Sequence, residues 1–327
     1  MKHVTAMGLT IALGMAAVGT AAAEPLKFEK LGQKARFIHG EDVVTGVYTG
    51  TPDRAPTLHQ KAAGLSVVMA TPNGDQYVST MDPRDVALFE QAIEALEVLG
   101  RAPATIPGLP PSLPRAQDLP QASPKTVIGT DDRVQVTNTT VAPFYNIGRI
   151  ATGCSGTLIG PKHVLTAGHC VSNGAGTWYS ALNFTVAQNG STQPWGTRSW
   201  ARVLAPAEWH NGGSSNYDYA LIVLSEPAHG GYAAWGTYAG GTHTITGYPG
   251  DKPFGTMWRH SGTVNPSGSF RLCYTIDTSG GNSGSGIYDS GYVVRGVHTT
   301  GSSTQNCGTR LTTAVQNTLQ NWISANP

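Results

Sequence analysis

The sequence predicts an all-β protein of antiparallel barrels or a sandwich, preceded by an N-terminal region of different character. Three observations carry this. After residue 126, many short apolar or alternating runs are bounded by Gly, Pro, Asn and Asp clusters. No helices alternate with those runs, which argues against a parallel α/β sheet. Glycine is frequent, at 41 of 327 residues, as a chain of many tight turns requires.

Composition narrows the function classes. The formal net charge is +1 and only 13% of residues are charged. No basic block or acidic tail occurs, so neither nucleic acid nor a membrane surface is an expected partner. There are four cysteines, Cys154, Cys170, Cys273 and Cys307, and none forms a CxxC pair. Two disulfides are expected if the chain is exported, and four cysteines allow three pairings. No HExxH or comparable ligand spacing occurs. No catalytic metal and no cofactor are therefore expected, with a structural calcium left open.

Residues 1–23 read as a secretory signal peptide: Lys2, then an apolar run from Val4 to Val18, then Ala21-Ala22-Ala23. The apolar run is short for the ~30 Å of a bilayer core. Secretion, extracellular or periplasmic, follows. Residues 24–125 read as a propeptide. Two weakly alternating segments, Val43–Tyr48 and Leu65–Met69, precede a helical pattern from Asp82 to Leu99. There Val86, Phe89, Ile93 and Leu96 share a face, Asp82-Pro83 starts the helix and Gly100 stops it. Seven prolines in 103–124 make a linker that cannot build a core. It ends at Lys125-Thr126, an accessible cleavage site.

Residues 126–327 carry the β pattern. Expected strands are Phe144–Ile150, Ser155–Ile159, His163–Ala167, Phe184–Ala187, Ala220–Leu224, Thr242–Thr246, Cys273–Asp277 and Tyr292–Val297. Thr312–Ala325 closes the chain as a helix with Val315, Leu319, Trp322 and Ile323 on one face.

One stretch asks for chemistry. Ser279-Gly280-Gly281-Asn282-Ser283-Gly284-Ser285-Gly286 is costly to order, since glycine loses the most backbone freedom. The loop makes sense where amides crowd a reacting atom, with Ser283 as nucleophile. Read alone, it is equally an ordinary Ser/Gly turn. A serine hydroxyl needs a base, commonly an imidazole oriented by a carboxylate. Of ten histidines, His169 has the best setting, where an apolar strand runs into Ala167-Gly168-His169-Cys170. Asp218 directly precedes the apolar run Ala220–Leu224, where a carboxylate can be held out of water. Asp251, in a polar turn, reads as a surface charge, and Asp277 is too close to the serine loop to orient a base.

With these residues in place the chain resembles the chymotrypsin-like serine proteases. The segments are Ser155-Gly156-Thr157-Leu158-Ile159, Thr166-Ala167-Gly168-His169-Cys170, Asp218-Tyr219-Ala220-Leu221 and Gly281-Asn282-Ser283-Gly284. Val127-Ile128-Gly129 with Asp132-Arg133, Gly247–Lys252 and Val297-His298-Thr299 are similar to the secreted bacterial glutamyl endopeptidases. The resemblance spans 126–325. It implies two six-stranded antiparallel β-barrels with a C-terminal helix, and a monomeric enzyme acting on protein or peptide substrates.

The resemblance also implies the roles. Ser283 attacks, His169 is the base and Asp218 orients it. The amides of Gly281 and Ser283 form the oxyanion hole. Cys154 pairs with Cys170, leaving Cys273 with Cys307. His298, Thr278 and the α-amino group of Thr126, freed by cutting after Lys125, would hold a glutamate at P1. Two positions depart from the wider pattern. Gly286 stands where proline is usual, which should loosen that turn. Asn282 replaces the aspartate that receives the new N-terminus in trypsin-like digestive enzymes. A trypsin-fold protease of other specificity and an idle binding module on this fold are the competing readings.

Overall fold

The computed structural model describes residues 26–40, 66–80 and 127–327. The signal peptide, the Val43–Tyr48 run, the Asp82–Leu99 helix, the proline-rich linker and Thr126 lie outside the described residues.

Apolar runs after residue 146 fold into two barrels. The first uses β6 (Ile147–Ile150), β7 (Ser155–Gly160), β8 (His163–Thr166), β10 (Phe184–Val186), β11 (Thr197–Arg198), β12 (Trp200–Pro206) and β13 (Ala220–Leu224). Their antiparallel order is β12-β13-β8-β7-β6-β10-β11. Since β11 runs into β12 across Ser199 alone, the seven assigned strands make six physical ones. The second barrel uses β14 (Thr242–Gly247), β15 (Met257–Ser267), β16 (Arg271–Tyr274), β17 (Gly286–Asp289), β18 (Val294–Gly301) and β19 (Asn306–Arg310). Its order is β14-β17-β18-β19-β16-β15, and β14 pairing with β15 closes the ring. The short β5 (Val134–Val136) joins the outer side of β15. The six-stranded barrels are thus present, each with an addition.

β13 is buried along its whole length, which is why it reads as a continuous apolar run rather than an alternation. Leu158, Val164, Leu165, Leu221 and Ile222 are fully buried around it. Each such side chain contributes about 1.5–3 kcal/mol of burial. The C-terminal helix, α2 (Thr313–Ala325), packs Val315, Leu319 and Trp322 inward. Thr312 caps it, accepting from Val315 N at 3.3 Å. Trp322 stacks on Tyr219 with centroids 5.6 Å apart.

Several strands differ from expectation. Residues 144–146 form a 3-10 turn before β6, and 275–277 leave the sheet after β16. β15 shows no apolar run, because most of its side chains face solvent. It is held as a strand by neighbours on both sides.

The N-terminal region adds strands of its own: β1 (Glu29–Lys30), β2 (Arg36–Ile38), β3 (Val67–Ala70) and β4 (Gln76–Ser79). β3 lies antiparallel on the edge of β12, and β4 and β1 follow outward. β2 pairs in parallel with β9 (Thr177–Tyr179). The first sheet therefore has ten strands.

Candidate active site

His169 sits in a 3-10 turn, Gly168–Cys170, at the end of β8. The disulfide Cys154–Cys170 ties that turn to the start of β7. Asp218 sits just before β13, which pairs with β8. The two strands thus deliver both residues to one end of the barrel. Asp218 is fully buried. Its Oδ2 lies 2.9 Å from His169 Nδ1, and its Oδ1 accepts from His169 N at 2.9 Å. A buried carboxylate accepts best from N–H, so Nδ1 carries the proton and Nε2 is left as a base. Thr309 Oγ1 on β19 donates to Asp218 O at 2.9 Å, so the second barrel holds the acid's backbone.

The serine loop belongs to the second barrel, just before β17. Ser283 is half-buried, and its neighbour Gly284 lies against Thr166 at the end of β8. Ser155 N donates to Ser283 O at 2.8 Å, and Ser155 Oγ to Gly281 O at 2.7 Å. Gly284 N donates to His298 O at 2.8 Å. Gly281 and Gly284 have φ of +97° and +84°. A Cβ on Gly284 would lie 2.1 Å from Thr166 Oγ1, and one on Gly281 2.3 Å from Tyr248 O. Only glycine fits these positions. The amides of Asn282, Gly284 and Ser285 are bonded within the protein. Those of Gly281 and Ser283 meet no acceptor among the described residues. The Gly280 amide likewise meets no acceptor among the described residues, so the loop keeps donors free for an incoming oxygen.

Beside this loop, Thr278 and His298 are both buried, on the segment before the serine loop and on β18. Tyr274 Oη lies 2.7 Å from His298 Nδ1. Burial holds the Tyr274 phenol protonated. Burial first, and then the nearby His169 and Arg271 groups, push His298 down to about 3, so it is neutral. A buried phenol needs an acceptor, so Tyr274 donates to Nδ1 and the His298 proton resides on Nε2.

The start of the barrel region converges here too. Asp277 Oδ1 accepts from Ile128 N at 2.9 Å and Oδ2 from Asp132 N at 3.0 Å. Arg133, with a side chain only 2% exposed, makes a bidentate pair with Asp251 at 2.9 and 2.6 Å and also binds Asp131. Asp251 is therefore no ordinary surface charge. It connects residues 131–133 to the loop after β14.

Residues 154–297 match the trypsin-like peptidase domain. Glutamyl endopeptidase of Bacillus licheniformis is 41% identical over 219 residues, 61% of this chain and 69% of that protein. A Bacillus subtilis protein named extracellular metalloprotease is 34% identical over 62% of this chain and 71% of its own. A solved Glu endopeptidase structure, in complex with MPD, superposes with a TM-score of 0.58 at 37% identity. It covers 61% of this chain and 99% of that one.

The chain belongs to the glutamyl endopeptidase family of trypsin-like serine proteases.

As a member of that family, this serine endopeptidase acts on protein or peptide substrates. Both expected disulfides, Cys154–Cys170 and Cys273–Cys307, are present. Its two departures have structural reasons. Gly286 is no loosened turn: it opens β17, and its N–H donates to Thr157 Oγ1 at 3.2 Å, which proline could not do. Asn282 accepts from Ser279 N at 3.0 Å through Oδ1, closing the serine loop without any charge. Two clusters of metal-ligand residue types occur among the described residues. In Cys154, His169 and Cys170 the sulfurs are joined as a disulfide. In Asp132, His260 and Asp277, both Asp277 oxygens already accept backbone amides.

Burial keeps His210, at about 4, and His298, at about 3, far below the ordinary histidine value of 6.5. The unfolded chain takes up these protons below pH 6.5, and the folded enzyme does not. Their stabilisation is thus complete above 6.5 and lost as pH falls. Denaturant unfolding should give about 4 kcal/mol less stability at pH 5 than at pH 7. A flat profile across that range would contradict the buried neutral state of both rings.

Proposed function

We propose that this protease cleaves after glutamate, using Ser283, His169 and Asp218. The observation that supports the chemistry most is the buried Asp218 carboxylate on His169 Nδ1, together with a serine loop whose Gly281 and Ser283 amides are unengaged. Ser283 Oγ attacks the scissile carbonyl as His169 Nε2 takes its proton. The carbonyl oxygen becomes an oxyanion held by the Gly281 and Ser283 amides. His169 then returns the proton to the leaving amine, and the acyl-enzyme forms. Water, activated by the same imidazole, hydrolyses it. Asp218 keeps the imidazole in the Nε2-basic tautomer throughout and stabilises the imidazolium.

The glutamate carboxylate would be held by His298 Nε2–H, Thr278 and the Thr126 amine. A neutral donor set suits a site whose only full charge arrives with the new N-terminus. His298 already has its proton on Nε2, so it donates without first being charged. Residues 24–125 act as a propeptide removed after Lys125, from a monomer exported by its signal peptide. No metal takes part in this scheme.

Cleavage-site profiling on a denatured protein mixture tests the P1 assignment. Cuts should fall mainly after Glu, and cuts spread over other residues would overturn it. An uncut Lys125→Ala variant should be poorly active on Glu peptides. Equal activity would remove the Thr126 amine from the site. The name of the Bacillus subtilis relative motivates one control. Activity should survive a zinc chelator and be lost to a fluorophosphonate; the reverse would favour metal-dependent chemistry.

A further inference from the structure

The strands before residue 81 form a two-point attachment to the first barrel. β3 pairs with β12 through Ala70↔Val203, Met69↔Leu204, Val68↔Ala205 and Val67↔Pro206. All four β3 residues are buried, between 0% and 5% exposed. The pairing continues into α1 (Ala207–Gly212), where Ala207 N donates to Ser66 O at 2.8 Å. At the second point, β2 lies on β9, and Phe37 packs against Trp200 with centroids 5.9 Å apart. Leu26, Phe28, Ala35, Phe37 and Tyr77 all pack on the core. These contacts are made by backbone ladders and apolar side chains, and none depends on the covalent connection through residues 81–126.

The barrel itself closes without them. β12 already has β13 on one side, and the solved relative is almost wholly accounted for by a share of this chain similar to that of residues 127–327. β3 is therefore an added strand on a finished edge, the arrangement of strand-addition complexes. An edge strand left open invites pairing with any other extended chain.

We propose that the strands of residues 26–40 and 66–80 are a strand-donating partner of the catalytic portion. It stays bound after the connection is cut, and its departure opens the β12 edge as a docking site for one extended apolar strand. The occupant is this chain's own β3–β4 hairpin. Among the described residues, β3 alone pairs with Val203–Pro206 on the side away from β13. The inference is independent of P1 specificity and of where the natural cut falls.

The test uses the full chain with Ser283→Ala, to prevent self-digestion, and a sequence-specific protease site placed within 103–124. After cutting, both pieces should co-elute in size-exclusion chromatography at roughly 10 µM and separate only in denaturant. Val68→Asp with Met69→Asp places two carboxylates in the buried strand, and the cut pieces should then elute apart. A labelled peptide of residues 64–82 should bind the stripped catalytic piece saturably and raise its melting temperature by about 5 °C. Pieces of the unaltered chain that separate in native buffer would overturn the proposal. So would a peptide that neither binds nor shifts melting. Because the peptide arm uses the unaltered catalytic piece, a double variant that fails to fold leaves the test decisive.

Discussion

Ser283→Ala is expected to lower kcat by about 10⁵–10⁶-fold on a Glu-containing peptide, by analogy with nucleophile removal in other triad enzymes. The fold should not change. The structural bond at this position uses the Ser283 carbonyl, which accepts from Ser155 N, and alanine retains it. Melting temperature and product inhibition should both match the unaltered enzyme. Residual turnover should remain above the uncatalysed rate, because the Gly281 and residue 283 amides survive. Asp218→Asn should cost about 10⁴-fold, since the amide cannot hold His169 in the required tautomer. It would act without removing the side-chain oxygen that accepts from His169 N. An active Ser283→Ala enzyme would remove the nucleophile assignment altogether.

The second large effect is on specificity. His298→Ala should reduce kcat/KM for Glu at P1 by about 10²–10³-fold, the range for stranding one half of a buried charged hydrogen bond. Peptides with an uncharged P1 should lose much less, so the ratio between the two substrates is the quantity to measure. Tyr274→Phe should fall between, at roughly tenfold on Glu substrates. It removes the donor that keeps the His298 proton on Nε2 and leaves an imidazole free to adopt the other tautomer. Equal losses on both substrates for His298→Ala would mean that the ring supports the barrel and does not select the substrate.

What could be read directly from the sequence were groups whose chemistry is local. His169 was marked by the strand, turn and cysteine around it, and Asp218 by the apolar run it precedes. The strands that bury both faces or alternate, such as β7, β8 and β13, were equally plain. What escaped depends on contacts between distant segments. Ser155 is a small residue in an apolar motif, and only the packed barrels bring its hydroxyl 2.7 Å from Gly281 O. Gly286 carried the wrong sign, because its partner Thr157 lies 129 positions away. Asp251 reads as a surface charge for the same reason, since its partner Arg133 lies 118 positions away. β15 was missed because its strand character comes from neighbours and not from its own residues.

The Asp277 anchor has a consequence for the timing of the proposed activation by cutting after Lys125. Its two oxygens are met by the amides of Ile128 and Asp132, uncharged groups that exist whether or not the peptide bond after Lys125 is intact. With the chain continuous, that segment is already fastened beside the serine loop. Cutting has no slow rearrangement left to trigger there. The appearance of enzyme should then follow first-order in the converting protease, with no lag between scission and full turnover.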